Sequence, residues 1–384
     1  MNMLDLFCGT GALSYGIEKN SQIRTVGGID ADKAACATAA LNHQNAKIIC
    51  KEIQLVAPRE MLSLIGVGQV DLIVGGPPCQ GFSSLRPSRG VAGLDDPRNS
   101  LYKNFLGYVR ELRPRVFLME NVVGILSAGD GALVTDMLQS FRRLGYSVDW
   151  KILNAANFGV PQKRERFFLL GTRKNLGRKV VPHFPVPKHW FQGRVIGTRL
   201  KDHYVVNQSM GLSPVTVRDA ISDLPSLKSG EAKSRYKTPP STDYQLARRC
   251  KELGTLTLHE AAAHNAKMLN VIKHSGASIS ALPKGLVSSG YSSCYSRLNF
   301  DEPATTITVK FTSPASSKCI HPVDNRAITP REAARIQSFD DAFSFAGSKT
   351  EIASQIGNAV PPLFGEAFSE VLEEIIESQG IGEY

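Results

Sequence analysis

Short apolar runs alternate with stretches of helical spacing through the first 171 residues. Residues 24–29, 46–50, 70–74, 116–119, 146–153 and 166–171 read as strands, because each is a brief apolar run bounded by turn residues. Residues 32–41 (rich in alanine), 100–112 and 132–144 read as helices between them. Strands that are apolar at nearly every position belong to a sheet covered on both faces. The pattern therefore predicts an α/β fold with a doubly wound, mostly parallel sheet of Rossmann-like type. After Gly171 the periodicity weakens in a stretch rich in Pro, Ser, Gly, Lys and Arg, and regularity returns at Thr329. Thr329 suits a helix N-cap, Pro330 the first helical position, and Glu332 completes a capping box. A last helix starts at Pro361 or Pro362 and aligns Leu363, Phe364, Ala367, Phe368, Val371, Leu372, Ile375 and Ile376 on one face. That face is expected to pack back on the first sheet. The organisation expected is a main domain over 1–175, a smaller irregular domain over 176–300, and a return to the main domain over 301–384.

Charge sharpens this division. The net charge is +10, and the segment from Arg173 to Phe300 alone holds 20 Lys and Arg against 7 Asp and Glu, leaving the remainder slightly acidic. The middle segment is thus the candidate polyanion surface, with a merely solvated basic face as the alternative. Seven cysteines are scattered without any C-x-x-C pair, which argues against a disulfide framework and a zinc site. No apolar run reaches the length of a membrane span, and the opening Met1-Asn2-Met3-Leu4-Asp5 lacks a basic, apolar leader. A cytoplasmic protein that touches no membrane is expected.

Candidate chemistry sits where strands end. Gly75-Gly76-Pro77-Pro78-Cys79-Gln80-Gly81-Phe82-Ser83 follows the strand 70–74, placing one cysteine on a turn at a strand's carboxyl end. Open α/β sheets hold ligands there, prolines stiffen the turn, and glycines permit close approach. A thiol so held has the character of a nucleophile. Asp5-Leu6-Phe7-Cys8-Gly9-Thr10-Gly11 follows the first strand and opens a helix, with Asp30 at the end of the second strand. Glycine turns, helix N-terminal amides and a strand-end acid suit an adenosine cofactor. Ser14 stands where a dinucleotide fingerprint places its third glycine, which disfavours NAD. Glu120-Asn121-Val122 ends the strand 116–119 on the edge it shares with Cys79, where a carboxylate either binds a base edge or transfers a proton, or is a surface acid near a turn. In Gln162-Lys163-Arg164-Glu165-Arg166, strand alternation points Gln162, Arg164 and Arg166 one way, toward an oxygen-rich ligand or into a salt-bridge ladder. Gln355 to Pro362 reads as a loop feeding the last helix, in which Asn358 either closes the cofactor pocket or belongs to a helix-initiating turn alone.

These motifs, GGPPCQGFS, ENV, QKRER and QIGNAVPP in order after DLFCGTG, closely resemble those of DNA cytosine carbon-5 methyltransferases of the bacterial type. REAARIQSF at 331–339 resembles a further family motif. The resemblance covers residues 4–171 and roughly 297–368 and lapses between them, where members of this family differ in their target-recognition domain. It implies methyl transfer from S-adenosyl-L-methionine to carbon 5 of a cytosine flipped out of double-stranded DNA. Cys79 is implied as the nucleophile at carbon 6, Glu120 as the group on nitrogen 3 and the amino group, Arg166 as the holder of the ring oxygen, and Arg164 as support for thiol and adduct. Phe7, Gly9, Gly11, Asp30, Glu52, Pro78, Leu101 and Asn358 are implied for the cofactor. Ala31 and Glu52 depart from the aromatic residue and the aspartate that some members carry. The loop 80–99, with Arg86 and Arg89, is expected to close on DNA as a lid. A monomer is expected, with a restriction endonuclease of the same site as a further partner. Methylation of tRNA, a silent DNA-binding regulator and a nicotinamide dehydrogenase are the competing readings.

Overall fold

The computed structural model describes residues 1–78, 101–174, 181–191, 211–249 and 254–380. In chain order the elements are β1 (Asn2–Leu6), α1 (Ala12–Lys19), β2 (Arg24–Asp30), α2 (Lys33–Asn42), β3 (Lys47–Cys50), α3 (Pro58–Ile65), β4 (Leu72–Gly75), α4 (Leu101–Leu112), β5 (Val116–Asn121), α5 (Ala132–Arg143), β6 (Tyr146–Asn154), β7 (Gln162–Lys163) and β8 (Glu165–Arg173). There follow α6 (Val217–Ile221), α7 (Asp243–Arg248), α8 (Ala266–Lys273), β9 (Ala304–Thr305), α9 (Pro330–Ile336), α10 (Lys349–Asn358) and α11 (Pro362–Gly380). Seven strands form one sheet in the order β3-β2-β1-β4-β5-β8-β6. Neighbours from β3 to β5 are parallel, and only β8 runs against its partners β5 and β6. The strand order reverses between β1 and β4, so the turns leaving these two strands flank the sheet's switch point, where such folds bind ligands.

Side-chain alternation along the strands builds a core on each face. Met3, Val74, Leu118 and Phe168 point to one side, against Phe364, Phe368, Leu372 and Ile375 of α11. Leu4, Ile73, Phe117 and Met119 point to the other, against Met61 of α3, Phe105 of α4 and Phe141 of α5. The apolar face expected of the last helix is thus the one that returns to the sheet. Helix α11 crosses α1 at very short range. A Cβ on Gly16 would lie 1.9 Å from the Pro362 carbonyl oxygen, and one on Gly365 would lie 2.3 Å from that of Leu13. Backbone, not a flexible side chain, blocks the space. Gly16→Ala is therefore expected to destabilise the fold by about 1–3 kcal/mol in a denaturant titration, the usual cost of overpacking. A midpoint within error of the wild type would contradict this packing.

A third core joins the irregular middle of the chain to its end. Val217, Ile221, Leu224 and Leu256 pack with Ile307, Ile328, Phe339 and Ile356. Buried arginines tie the same segments together. Arg335 of α9 bonds Asp341 at 2.6 Å and meets Asp223 at 3.4 Å, while Arg248 of α7 reaches Asp340 and Glu366 at 3.2 and 3.1 Å. The basic excess is therefore not all outward-facing. Arg248 is buried, and Arg297 donates to the carbonyls of Ile272, Ser275 and His321, whereas Lys228, Lys233, Arg235, Lys237, Lys267, Lys273 and Lys284 are exposed.

One expected loop is a helix. Gln355 to Asn358 form the last turn of α10, which begins with a capping box in which Ser348 accepts from the Glu351 amide and Glu351 accepts from that of Ser348. The signature S-x-x-E was present in the sequence at Ser348-Lys349-Thr350-Glu351 and marks that start. Among the described residues no helix is long and apolar enough to cross a membrane.

Candidate active site

The turn leaving β1 is built from left-handed residues. Phe7, Gly9 and Gly11 have φ of 56°, 51° and 73°, and a non-glycine residue in that region stores strain that concentrates at ligand sites. The Gly9 amide donates to Asp30 Oδ2 at 2.8 Å, and Asp30 Oδ1 accepts from the Asp32 amide at 2.9 Å. Two backbone donors thus orient the carboxylate at the end of β2. In front of Gly9 the space is open, with nothing within 4 Å of where a Cβ would sit. Behind the turn, Ser14 is fully buried and its hydroxyl donates to Asp5 Oδ2 at 2.6 Å. The serine that replaces a third glycine therefore serves a buried carboxyl, which burial pushes up to about 7 against the lowering effect of this bond.

The turn leaving β4 is equally constrained. A Cβ on Gly75 would lie 2.1 Å from the Leu6 carbonyl oxygen, and one on Gly76 would lie 3.0 Å from Glu120 Oε2. Asn121 Nδ2 donates to the Pro77 carbonyl at 2.9 Å, pinning the proline pair to the end of β5. Cys79 and the loop 80–99 lie outside the described residues.

Glu120 is buried at the end of β5, and Arg166 Nε lies 2.8 Å from its Oε1. Adjacent strands bring them together, since β8 pairs with β5 and both side chains leave the same face of the sheet. Burial raises the Glu120 pKa above the ordinary glutamate value, opposed by the charges of Arg166 and Arg164. Arg164 makes its hydrogen bonds elsewhere. It occupies the break between β7 and β8, so strict alternation through Gln162, Arg164 and Arg166 is interrupted there. Its guanidinium donates to the carbonyls of Ile307 at 3.1 Å and Gly357 at 3.0 Å, and its Nε has no partner among the described residues. Burial lowers its pKa strongly, aided by the like charge of Arg166. Gln162, also buried, bonds Gln337 and the Ile307 amide.

A cavity of about 580 Å³ opens at the switch point. Phe7, Gly9 and Asp30 line it from the first two strands, Glu52 from beyond β3, Pro78 and Leu101 from either side of the 79–100 segment, and Asn358 from α10. Glu120 reaches the same cavity, bringing a catalytic candidate to the edge of the cofactor candidates. Gly11 is not in the lining. It is the N-cap of α1, one residue behind the wall. Sequence reading missed Asp5 and Ser354 in this wall. Asp5 alternates with Leu4 and Leu6 on an otherwise apolar strand, a buried acid in a core strand that was there to be noticed.

Fold and cavity together define a doubly wound α/β protein that holds its ligand cavity at the sheet's switch point. The model of the C-5 cytosine-specific DNA methylases matches residues 1–374, and the chain belongs to that family, enzymes that methylate cytosine in DNA. Among curated relatives, Type II methyltransferase M.AgeI of Thalassovita gelatinovora is 33% identical, with 98% of this chain and 100% of the relative aligned. Type II methyltransferase M.DdeI of Desulfomicrobium norvegicum is also 33% identical, over 98% of this chain and 90% of its own. Among solved structures, a DNA modification methyltransferase encoded within an E. coli prophage superposes with a TM-score of 0.76 at 25% identity, covering 98% and 99% of the two chains. The S. pombe Dnmt2 methyltransferase, at 16% identity and a TM-score of 0.60 over 99% of both chains, shares the fold.

Proposed function

We propose that this enzyme transfers a methyl group from S-adenosyl-L-methionine to carbon 5 of a cytosine flipped out of a specific double-stranded DNA sequence, through a covalent Cys79 adduct. The observation that carries the reading is the shared cavity, in which the Glu120 carboxyl meets an adenosine-type pocket at the foot of the Pro77-Pro78 turn. The pocket fits the cofactor: Gly9 leaves open space for it, and Asp30 and Glu52 offer carboxylates for ribose and adenine. When bound, S-adenosylmethionine supplies an electrophilic methyl on its sulfonium. Phe7, Gly9, Asp30, Glu52, Pro78, Leu101 and Asn358 would hold it, with Gly11 fixing the turn from behind.

The chain's own residues make cytosine reactive. The Cys79 thiolate adds to carbon 6, and the ring's electron pair shifts to make carbon 5 nucleophilic. Glu120, whose burial favours the protonated form, donates to nitrogen 3 as the ring accepts charge and accepts from the amino group. Arg166 holds Glu120 and offers donors to the ring oxygen. Arg164 ties the β7–β8 junction to α10 and would support the thiol and its adduct. After methylation a base removes the carbon-5 proton and the electron pair expels the cysteine. The exposed Lys228, Lys233, Lys237, Lys267, Lys273 and Lys284 of 176–300, a target-recognition domain on this reading, would meet the phosphates together with the loop 80–99. An endonuclease of the same specificity as a partner fits the Type II names of its relatives, and a monomer in the cytoplasm belongs to the same reading.

Nucleoside analysis and bisulfite sequencing of nucleic acid from cells expressing the protein test the proposal. 5-Methylcytosine in one short DNA motif is expected, and an unmethylated genome with methylated tRNA would overturn it. Asp30→Ala is expected to weaken S-adenosylhomocysteine binding on the order of tenfold in calorimetry, the scale of a lost charged hydrogen bond. Unchanged affinity would remove Asp30 from the cofactor site.

A further inference from the structure

His43, directly after α2, is buried against the glycine turn and is not part of the cavity wall. Its Nε2 lies 3.0 Å from the Gly11 carbonyl oxygen, and its Nδ1 lies 3.2 Å from Glu18 Oε2. Ser14 Oγ also lies 3.3 Å from Nε2, but its one proton goes to Asp5 Oδ2 at 2.6 Å, so it too turns a lone pair to the ring. A carbonyl and a carboxylate only accept, and a ring that satisfies all three neighbours carries a proton on each nitrogen. The ring also touches the turn itself, since a Cβ on Gly11 would lie 2.6 Å from Nε2. Glu18 is held in turn, its Oε1 accepting from the Thr25 amide at 2.5 Å.

We propose that His43 is a positioning residue for the cofactor, a buried imidazolium that Glu18 holds on the Gly11 carbonyl to fix the Cys8–Gly11 turn in its binding shape. The inference rests on the cofactor assignment made above. The charged groups around the ring are acids, apart from Lys19, whose charge is met by Asp340 and Glu366. Helix α1 presents Glu18, the Tyr15 ring (edge-on at 6.4 Å) and, beyond that ring, Lys19. Strand β1 presents Asp5, β2 ends in Asp30, and Asp340 meets the Tyr15 hydroxyl. Burial works against the charged ring, but Glu18, the Gly11 carbonyl and Asp5 together hold its pKa above the usual histidine value.

The sign of the pH effect follows. Below the His43 pKa both bonds are made. As pH rises through it, the proton facing the Glu18 carboxylate is kept and the one facing Gly11 is lost, leaving a lone pair against a carbonyl. Cofactor affinity should therefore fall with rising pH. Glu18→Gln reverses this, because a glutamine amide can keep the Thr25 bond with its oxygen and donate to a neutral Nδ1. The ring then retains its Nε2 proton on Gly11 without being charged.

Calorimetry with S-adenosylhomocysteine across pH 6 to 9 tests this in the full-length protein. The wild type should lose affinity with rising pH, Glu18→Gln should bind without that loss, and His43→Gln should bind on the order of tenfold more weakly at low pH with no such break. A break that persists in His43→Gln belongs to Asp5 and overturns the proposal, as does wild-type affinity in that variant. A wild type that binds no S-adenosylhomocysteine overturns the cofactor assignment instead. Nitrogen NMR of labelled histidine in the unsubstituted protein needs no variant to fold: two protonated ring nitrogens at neutral pH support the imidazolium, and a neutral His43 ring overturns it.

Discussion

Cys79→Ser is expected to lower methyl transfer by more than about 10³-fold, the scale on which removal of a covalent nucleophile acts. Carbon 5 of cytosine is a poor nucleophile until a group has added at carbon 6. A thiol with an ordinary pKa near 8.5 reaches its reactive anion at neutral pH, and a serine hydroxyl does not. The substitution leaves the shape of the Pro77-Pro78 turn, the Asn121 clamp on it and the exposed basic surface untouched, so DNA affinity should stay near the wild type. Transfer of labelled methyl groups to DNA, measured beside an electrophoretic binding assay, separates the two effects. A second readout is the trapped adduct. DNA carrying 5-fluorocytosine at the target cannot release the fluorine as a proton would leave, so the wild type should form a denaturant-stable complex and Cys79→Ser should not. Turnover retained by the serine variant would end the covalent mechanism.

Glu120→Gln is expected to lower kcat by about 10²- to 10³-fold, within the range assigned to a general acid. Glutamine keeps the side chain's shape but cannot give a proton to nitrogen 3, and it leaves the buried Arg166 guanidinium without its anionic partner. The pH dependence is the sharper test. Burial raises the Glu120 pKa, and Arg166 opposes that rise. If the protonated acid is the working form, the wild-type rate falls as pH climbs through that pKa, while the thiol must lose its proton on the low-pH side. A bell-shaped profile results, and Glu120→Gln should erase its alkaline limb. An unchanged alkaline limb in the variant would assign that limb to another group.

The strands, the capping box at Thr329 and the apolar face of the last helix were all legible, because each is a local pattern: period two, period 3.6, or three fixed residues. Of the candidate site, the cavity wall was legible, since Phe7, Gly9, Asp30, Glu52, Pro78, Leu101, Glu120 and Asn358 all line it. Other features were not. The alternation of Gln162, Arg164 and Arg166 suggested one common target. In the fold, Arg166 meets Glu120 across the sheet, while Arg164 turns to carbonyls of residues 307 and 357. Those partners lie well over a hundred residues away in sequence, and no local periodicity encodes a contact of that span. The middle segment's charge excess was countable, but not that Arg248 and Arg297 face inward. His43 carried no motif at all, and its meaning appears only when α2 ends beside the first turn of α1.

By itself, then, the sequence determined the class of fold, the chain order of the main strands and the candidate residues at their ends, because those depend on residue type and short-range spacing. The tertiary structure alone decided which of them meet. It inserted the reversed β8 between β5 and β6, which sets Arg166 beside Glu120, and it brought α10 to the cavity from the far end of the chain. The physical reason is that strand register and helix docking are settled by burying complementary surfaces across long loops, and that energy belongs to the folded whole rather than to any segment.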